Sequence, residues 1–450
     1  MPRSPMSEPS PEVGRRQILR TAGLGISGFA LASPLLAACK AGAGDSDSGS
    51  GSGSGTSTLK IGFVSPRTGP AAGFGEPDAY VLSLARKAFA GGLTIGGKKY
   101  NVKIIDKDGQ SNPQRGSQVA SDLINGEGID LMLTTSTPET VNPVSDACEA
   151  AGVPCISTVV PWEAWYFGRG AKPDQNHAYQ YTYHFCFGVE QFHQAYTHLW
   201  PQVKTNKKVG VMWPNDSDGN AIRQSLGPLL KKGAYDIVDP GAYTDGTNDY
   251  SSQIARFKSA DCEIFNTFPI PSDFATFWRQ AAQQGYKPKI VQVAKTGLFP
   301  SQVEALGSLG IGIAGGAYWT PTFPYTSSLT KISSKDLAEG YQKSSGKQWT
   351  QQLGPSLALF DAAAAAFQAA SDPQDKKAVA KAIGALDVET PVGRLQWGKG
   401  PNANVVATPI LGGQWVQAAK NSPYKLDFVL CENSSDPHVP VAARLRPYTS

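Results

Sequence analysis

The chain has 450 residues, with 41 Lys and Arg against 37 Asp and Glu, a formal net charge of +4. So even a balance, without a basic stripe, excludes the electrostatic footprint of a nucleic-acid-binding protein. The roughly 390 residues beyond the N-terminal region are too many for one compact core, so two lobes are expected.

The N-terminal region reads as a targeting segment. "GRRQILR" (residues 14–20) carries Arg15 and Arg16, and an uncharged run over residues 21–38 leads into "LLAAC". A basic head, an apolar body and a small-residue end make a secretion signal over residues 1–38. The paired arginines resemble the twin-arginine export signal, which carries folded proteins. Leu36-Ala37-Ala38-Cys39 resembles a bacterial lipobox, after which Cys39 becomes the lipidated first residue. The other reading is a transmembrane anchor, but a run of about 18 residues is at the short limit for a span. "GLGISG" in this run matches a dinucleotide fingerprint, yet it lacks the strand–turn–helix context that motif needs. Residues 39–58 are a Gly/Ser-rich tether, a flexible coil reaching roughly 20–25 Å. The folded part is therefore expected outside the cytoplasm, on the outer face of the cell membrane. Losing residues 1–38 removes four Arg and two Glu, leaving 37 basic and 35 acidic side chains.

Five cysteines follow Cys39: Cys148, Cys155, Cys186, Cys262 and Cys431. Outside the cytoplasm pairs tend to oxidise, so Cys148–Cys155 and Cys262–Cys431 are candidate disulfides, with buried free thiols as the alternative. Their spacing is not that of a zinc site.

From residue 59 the pattern alternates. "LKIGFVS" reads as a strand, and "EPDAYVLSLARKAFA" places Ala79, Leu82, Leu84, Ala85, Ala88 and Phe89 at helical spacing. "LTIGGKKYNVKIID" reads as a hairpin. A helix over about 112–124, a strand at 129–133, a helix ending near Ala151 and the strand "PCIST" follow. After an aromatic-rich connection the alternation restarts. "KKVGVMW", "YDIVDP", "CEIFNTF" and "KIVQV" read as strands, separated by helices near 219–231, 250–258 and "SDFATFWRQAAQQGY". Short apolar runs alternating with helices imply parallel sheets covered on both faces, wound twice. The tail adds helices near 335–344, 355–370 and 374–386, with strands near 393–397, 405–411 and 414–417.

Five pieces of this α/β chain carry a resemblance: "LKIGFVSPRTGPAAGFGE", "NPQRGSQVASDLI", "NPVSDACEAAGVPCIS", "FWRQAAQQGYKPKI" and "ETPVGRLQW", in that order. Together they resemble the type I periplasmic binding proteins, in particular the leucine/isoleucine/valine-binding group of ABC importers, over residues 59–430. The resemblance implies two flavodoxin-like doubly wound lobes joined by three crossovers, which hinge shut on a ligand. It places lobe one at 59–186 plus 319–390 and lobe two at 187–318 plus 391–450. The crossovers are then expected near 183–189, 316–321 and 389–393. It implies a monomeric binding protein without catalysis or cofactor, delivering a small solute to membrane permease and ATPase subunits.

Ligands of doubly wound sheets sit outside the carboxyl ends of the strands. In lobe one this selects the loop 65–75 with Phe74, the stretch "LTTSTPETVNP", and "STVVPWEAWYFG" with Val159, Val160 and Trp162. Thr137 suits a helix N-cap and Pro138 the first helical position. Free N–H groups beside Thr135, Ser136, Thr137 and Thr140 would attract a carboxylate, a role the resemblance gives to Ser and Thr here. Alternatively these hydroxyls only cap a helix. Glu139 complements the helix dipole. The aromatics near Trp162 are either packing or an apolar wall.

Lobe two offers "WPNDSDGN", "FPIPSD" with Phe268, and "VAKTG". Asp216 and Asp218 lack the rest of a calcium loop, so an Asx turn before a helix is expected. The resembled group has a Tyr in the first of these loops and an acid in the third, gripping an ammonium. Asp218 stands for the Tyr, and Ala294 or Lys295 stands near the acid. Asp218 would take the ammonium, whereas Lys295 would favour an anion. An amino acid, an amide, urea or a small carboxylate remain open as ligands. The rival functions are a secreted enzyme and a sensor subunit for a membrane signalling protein. No GxSxG, HExxH or SxxK motif supports the enzyme, and the spacings of His184, His193 and His198 do not align on a helix face.

Overall fold

The computed structural model describes residues 56–449. The signal-like segment 1–38, Cys39 and most of the Gly/Ser stretch lie outside the described residues. Two seven-stranded sheets form the frame. The first is built from β1 (Thr58–Ser65), β2 (Leu93–Ile95), β3 (Lys98–Asp108), β4 (Leu131–Thr135), β5 (Cys155–Thr158) and β6 (Thr182–Phe185). The second is built from β7 (Lys208–Met212), β8 (Asp236–Val238), β9 (Ile264–Thr267), β10 (Ile290–Val293) and β11 (Ala314–Ala317). The tail supplies β12 (Asp387–Thr390), β13 (Gly393–Gln396), β14 (Val405–Val406), β15 (Leu411–Gln417) and β16 (Leu426–Glu432).

The sheet orders are β2-β3-β1-β4-β5-β6-β14 and β8-β7-β9-β10-β11-β15-β16. Central strands are parallel, so helices cover both faces and the strands read as continuous apolar runs. Leu59, Ile61, Phe63 and Val64 of β1 are all fully buried. Antiparallel strands occur only at edges: β2 in the first sheet, β15 and β16 in the second.

The covering helices begin where local chemistry starts them. They are α1 (Asp78–Phe89), α2 (Pro113–Ser121), α3 (Pro138–Ala151) and the short α4 (Trp162–Tyr166) in the first half. The second half has α5 (Val189–Leu199), α6 (Ser217–Lys232), α7 (Ser251–Ser259), α8 (Pro271–Gln283) and α9 (Pro300–Glu304). Asn112 caps α2 by accepting from Arg115 N–H at 2.9 Å, with Pro113 behind it. The tail returns α10 (Ser334–Ser345), α11 (Leu353–Ala369) and α12 (Lys376–Gly384) to the first sheet. α11 is apolar nearly all round and almost wholly buried, as such a helix must be.

The chain passes between the sheets after β6, after β11, and between β14 and β15. The third passage is later than expected. Residues 389–393 instead turn the β12–β13 hairpin, where Thr390 Oγ1 donates to the Gly393 carbonyl at 2.6 Å. Trp397 then packs edge-on against Tyr183 and Phe185, with centroids 6.4 and 6.3 Å apart. This holds the chain on the first sheet until β14 pairs with β6, Val405 opposite His184. Residues 391–406 thus complete lobe one, and lobe two regains the chain at β15.

The candidate disulfides are not formed: all five described cysteines are buried thiols. Cys262 precedes β9 and Cys431 lies in β16, with β10, β11 and β15 between those strands. At about 4.8 Å per strand that is roughly 19 Å, far beyond the Cα separation a bridge tolerates. Cys148 and Cys155 are neighbours in the apolar layer beneath α3 and stay reduced, burial pushing the Cys148 thiol up.

Two aspartates are buried in the core of lobe one. Asp361 of α11 accepts from Ser327 Oγ at 2.7 Å and Leu329 N–H at 2.8 Å. Asp78 of α1 accepts from Ser356 Oγ of α11 at 3.3 Å. Burial pushes both up to about 7, against these hydrogen bonds. An unfolded Asp titrates near about 3.9, so the folded chain holds two protons that the unfolded chain releases. Their contribution to stability is full below about pH 4 and lost as pH rises through about 7. The urea midpoint should fall between about pH 5 and about pH 8, and Asp78→Asn with Asp361→Asn should flatten that slope. A wild-type midpoint that rises over this interval would contradict the assignment.

Candidate functional site

The carboxyl ends of the two sheets face each other. From lobe one come the loop after β1, the turn between β4 and α3, and the turn between β5 and α4. From lobe two come the β7–α6 turn and the ends of β9, β10 and β11. Between them lies an inner cavity of about 50 Å³. Phe74, Thr137, Val159 and Pro161 line it from one side, and Phe192, Phe268, Ala294, Lys295, Leu298 and Asp218 from the other. Phe187, Tyr318 and Ile410, on the three passages between lobes, close its floor. A single water needs roughly 10–15 Å³ on such a measure, so the cavity suits a small solute. An outer cleft of about 810 Å³ continues from it and shares Phe74, Thr137 and Lys295. The lobes touch across its mouth, where Phe74 meets Phe299 edge-to-face at 4.9 Å.

Backbone strain concentrates here. Thr137, Val159 and Lys295, all lining the cavity, have φ of 65°, 58° and 45°, and Ser136 has 72°. Such conformations cost roughly 1–3 kcal/mol each in a residue with a side chain. In lobe one the cause is visible. Ser136 N–H donates to the Thr158 carbonyl and Thr137 N–H to the Val159 carbonyl, both at 3.3 Å. The chain after β4 is thereby bent over the end of β5, and α3 begins at Pro138.

This bend overturns one expectation about the helix start. Ser136 and Thr137 N–H are already bonded to carbonyls, Pro138 has none, and Thr140 N–H donates to the Thr137 carbonyl at 3.1 Å. The array of free N–H groups expected for a carboxylate is mostly spent. Thr137 is the helix cap by position, but its side chain makes no cap hydrogen bond.

Lobe two holds the charge. Asp216 caps α6, accepting from Gly219 N–H at 2.6 Å. Lys295, from the turn after β10, places its ammonium 2.7 Å from Asp216 Oδ2 and 3.0 Å from Asp218 Oδ2. Burial opposes the charge on Lys295, but Asp218 and Asp216, with Glu139 beyond them, outweigh it and hold its pKa above the ordinary value. Burial pushes the Asp218 carboxyl up; Lys295 pulls it back, and Asp216 and Glu139 push it up again. Asp245 is pushed up to about 6, first by burial and then by Asp216. Lys295 is therefore neutralised within its own lobe and is not a free seat for an anion. The Asp218 Oδ1 atom, by contrast, is buried without a hydrogen-bond partner.

A model of the family described as "Periplasmic binding protein" matches residues 58–420. The chain belongs to this family. A Leu/Ile/Val-binding protein homolog from Brucella suis is 26% identical over 79% of this chain and 89% of its own length. A substrate-binding protein of a branched-chain amino acid transporter from Streptococcus pneumoniae, solved with isoleucine, superposes with a TM-score of 0.64. It is 18% identical and covers 83% of this chain and 99% of its own. A solute-binding protein of an R. palustris ABC transporter, solved with benzoate, gives a TM-score of 0.63 at 16% identity, covering 86% and 98%. The chain shares the type I periplasmic-binding fold with these proteins, and its family is one of solute-binding proteins rather than enzymes.

Within this binding-protein fold the sequence-derived residues separate. Phe74, Thr137, Val159, Asp218, Phe268 and Lys295 meet at the inner cavity, and Glu139 lies on the outer cleft. Thr135, Ser136, Pro138, Thr140 and Val160 are buried beside the cavity without lining it. Trp162 lies against the first passage, its backbone N–H donating to the Phe187 carbonyl at 3.0 Å and its ring centroid 5.6 Å from that of Phe167. The strand-end rule found the loops but missed Phe187, Tyr318 and Ile410; the passages themselves were the available signal. The histidines go elsewhere. His184 sits between Ser157 Oγ and the Val160 carbonyl, each at 2.8 Å, and burial lowers it to about 3. Among the described residues no group of three His, Cys, Asp or Glu is arranged to hold a metal.

The ion pairs make opposite predictions for two substitutions. Lys295→Met strands Asp216 and Asp218 in a buried site and should cost about 3–5 kcal/mol, read from urea unfolding at neutral pH. Asp218→Asn keeps the Lys295–Asp216 pair and removes a poorly solvated charge, so it should cost less than about 1 kcal/mol. Equal losses from both would show that Asp218 is as necessary to lobe two as Lys295.

Proposed function

We propose that this chain is the extracytoplasmic solute-binding subunit of an ABC importer. It closes two lobes over a small solute and presents the closed form to the permease, whose transport is driven by ATPase subunits. A lipid at Cys39 and the Gly/Ser stretch 39–58 would keep it at the outer membrane face while leaving it free to turn. The observation that carries the reading is the cavity at the facing strand ends, apolar on most sides and floored by all three passages. Hinge closure about such passages is how two-lobed binding proteins trap ligands. The relatives named for Leu/Ile/Val binding, and those solved with isoleucine and benzoate, support a solute of that size.

The cavity also bounds the energetics. Burying roughly 100 Å² of apolar solute surface contributes about 2.5 kcal/mol. A millimolar Kd already requires about 4.1 kcal/mol. Apolar packing alone is therefore too weak, and a polar anchor must add the rest.

A thermal-shift panel of amino acids, amides, urea, amines and short carboxylates tests the reading. One chemical class should stabilise the protein, by about 2.7 kcal/mol at a hundred times Kd. No response to any solute, together with turnover of an ester or glycoside panel, would sink it. The tether has its own test. Cys39→Ser should move the chain from the membrane fraction to the soluble fraction with its solute response intact. Retention in the membrane fraction would reject the lipid anchor.

A further inference from the structure

We propose that the solute is a small organic cation without a carboxylate, a primary amine or amidine on a compact apolar body, held by Asp218. This rests on the solute-binding reading above. Three observations carry it. First, Asp218 is only 5% exposed, lines the inner cavity and keeps Oδ1 without a hydrogen-bond partner, while Oδ2 meets Lys295 at 3.0 Å. A buried carboxylate oxygen facing a cavity calls for a donor, and an ammonium or amidinium supplies a charge-assisted one.

Second, the surrounding charge is negative. Lys295, the cationic side chain that lines the inner cavity, is shared by Asp216 and Asp218. Asp245 adjoins them, with Asp273 behind it, and Glu139 faces them from lobe one. Arg279 lies on the outer cleft and donates to the Ala305 carbonyl at 3.3 Å. Third, the helix start that would receive a carboxylate has spent most of its N–H groups on the Thr158, Val159 and Thr137 carbonyls and carries the Glu139 side chain beside it. A zwitterionic amino acid would satisfy Asp218 and bring its carboxylate towards an acid. A monocation satisfies Asp218 and gains from Asp216, Asp245 and Glu139, while the opposing Lys295 ammonium is already shared by two carboxylates. Phe187 and Phe268 line the same cavity, and aromatic rings tolerate a cation better than aliphatic walls do.

The test uses ligands that differ only in the head group: 3-methylbutylamine, leucine and 4-methylpentanoate as one set, benzamidine and benzoate as another. Calorimetry and thermal shift on the purified protein should show the amine and amidine binding at least about tenfold tighter than their partners. Asp218→Asn should lose at least about tenfold of that affinity while unfolding with an unchanged urea slope. Because the cation needs Asp218 ionised, affinity should rise from about pH 5 to about pH 8. Tighter binding of leucine or of either carboxylate would overturn the proposal and leave the solute-binding reading standing. If neither these sets nor the wider solute panel binds, both fall. The wild-type comparison decides the matter even where the Asp218 variant is poorly folded.

Discussion

The Lys295 ammonium, buried between Asp216 and Asp218, is the interaction on which the site depends. It ties the turn after β10 to the start of α6, so two strand ends of lobe two act as one rigid edge. The tie requires Lys295 to adopt a left-handed backbone at φ 45°. Such strain persists only where the surroundings over-determine it, and two carboxylates within 3.0 Å of one ammonium do so. The same pairing decides the electrostatics. A cation that sequence alone would assign to an anionic ligand is consumed inside its own lobe, and the cavity keeps the surplus of the acids.

Lobe one is organised by a different constraint, the hydrogen bonds that bend Ser136 and Thr137 over the end of β5. They trade the anion-binding capacity of a helix start for a fixed cavity wall. The passage between lobes is equally determined. At Gly188 a Cβ would fall 2.1 Å from Trp162 Nε1 and 2.6 Å from Glu163 Oε1, so only glycine lets the chain cross there. Glu163 then accepts from Val189 N–H at 2.9 Å, so that a lobe-one carboxyl holds the first turn of a lobe-two helix. Burial raises that carboxyl to about 7.

How much of this was legible follows from where each signal resides. Strands such as β7 and β10 announce themselves because both faces are buried and all but one residue is non-polar. β11 reads "AGGA", which has no strand signature, and it becomes a strand because neighbouring edges need a partner. The third passage was misplaced for the same reason. The β12–β13 turn looks like an exit, and only the packing of Trp397 on Tyr183 and Phe185 keeps the chain on lobe one. At the site, the strand-end rule selected the right loops from topology alone. It could not say that Thr137 faces the cavity while Ser136 and Thr140 do not, because that depends on two positive φ angles set by β5. Nor could spacing show that Cys262 and Cys431 lie four strands apart.

The two lobes therefore meet with unequal roles. Lobe one brings a strained, mostly apolar wall and Glu139; lobe two brings Asp216, Asp218 and Asp245 around Lys295. In the proposed closure Glu139 would move towards these acids, a repulsion that grows as water leaves and the effective dielectric falls. Apolar contacts such as Phe74 on Phe299 favour the closed form, but they are available to the protein with or without a solute. A ligand shifts such an equilibrium only by its differential affinity for the closed state. A positive charge placed between Asp218 and Glu139 has that property, since in the open form it would meet one acid and in the closed form both. Under the proposed reading, the charge pattern of the cleft would couple recognition of a cation to closure through Asp218 and Glu139 together.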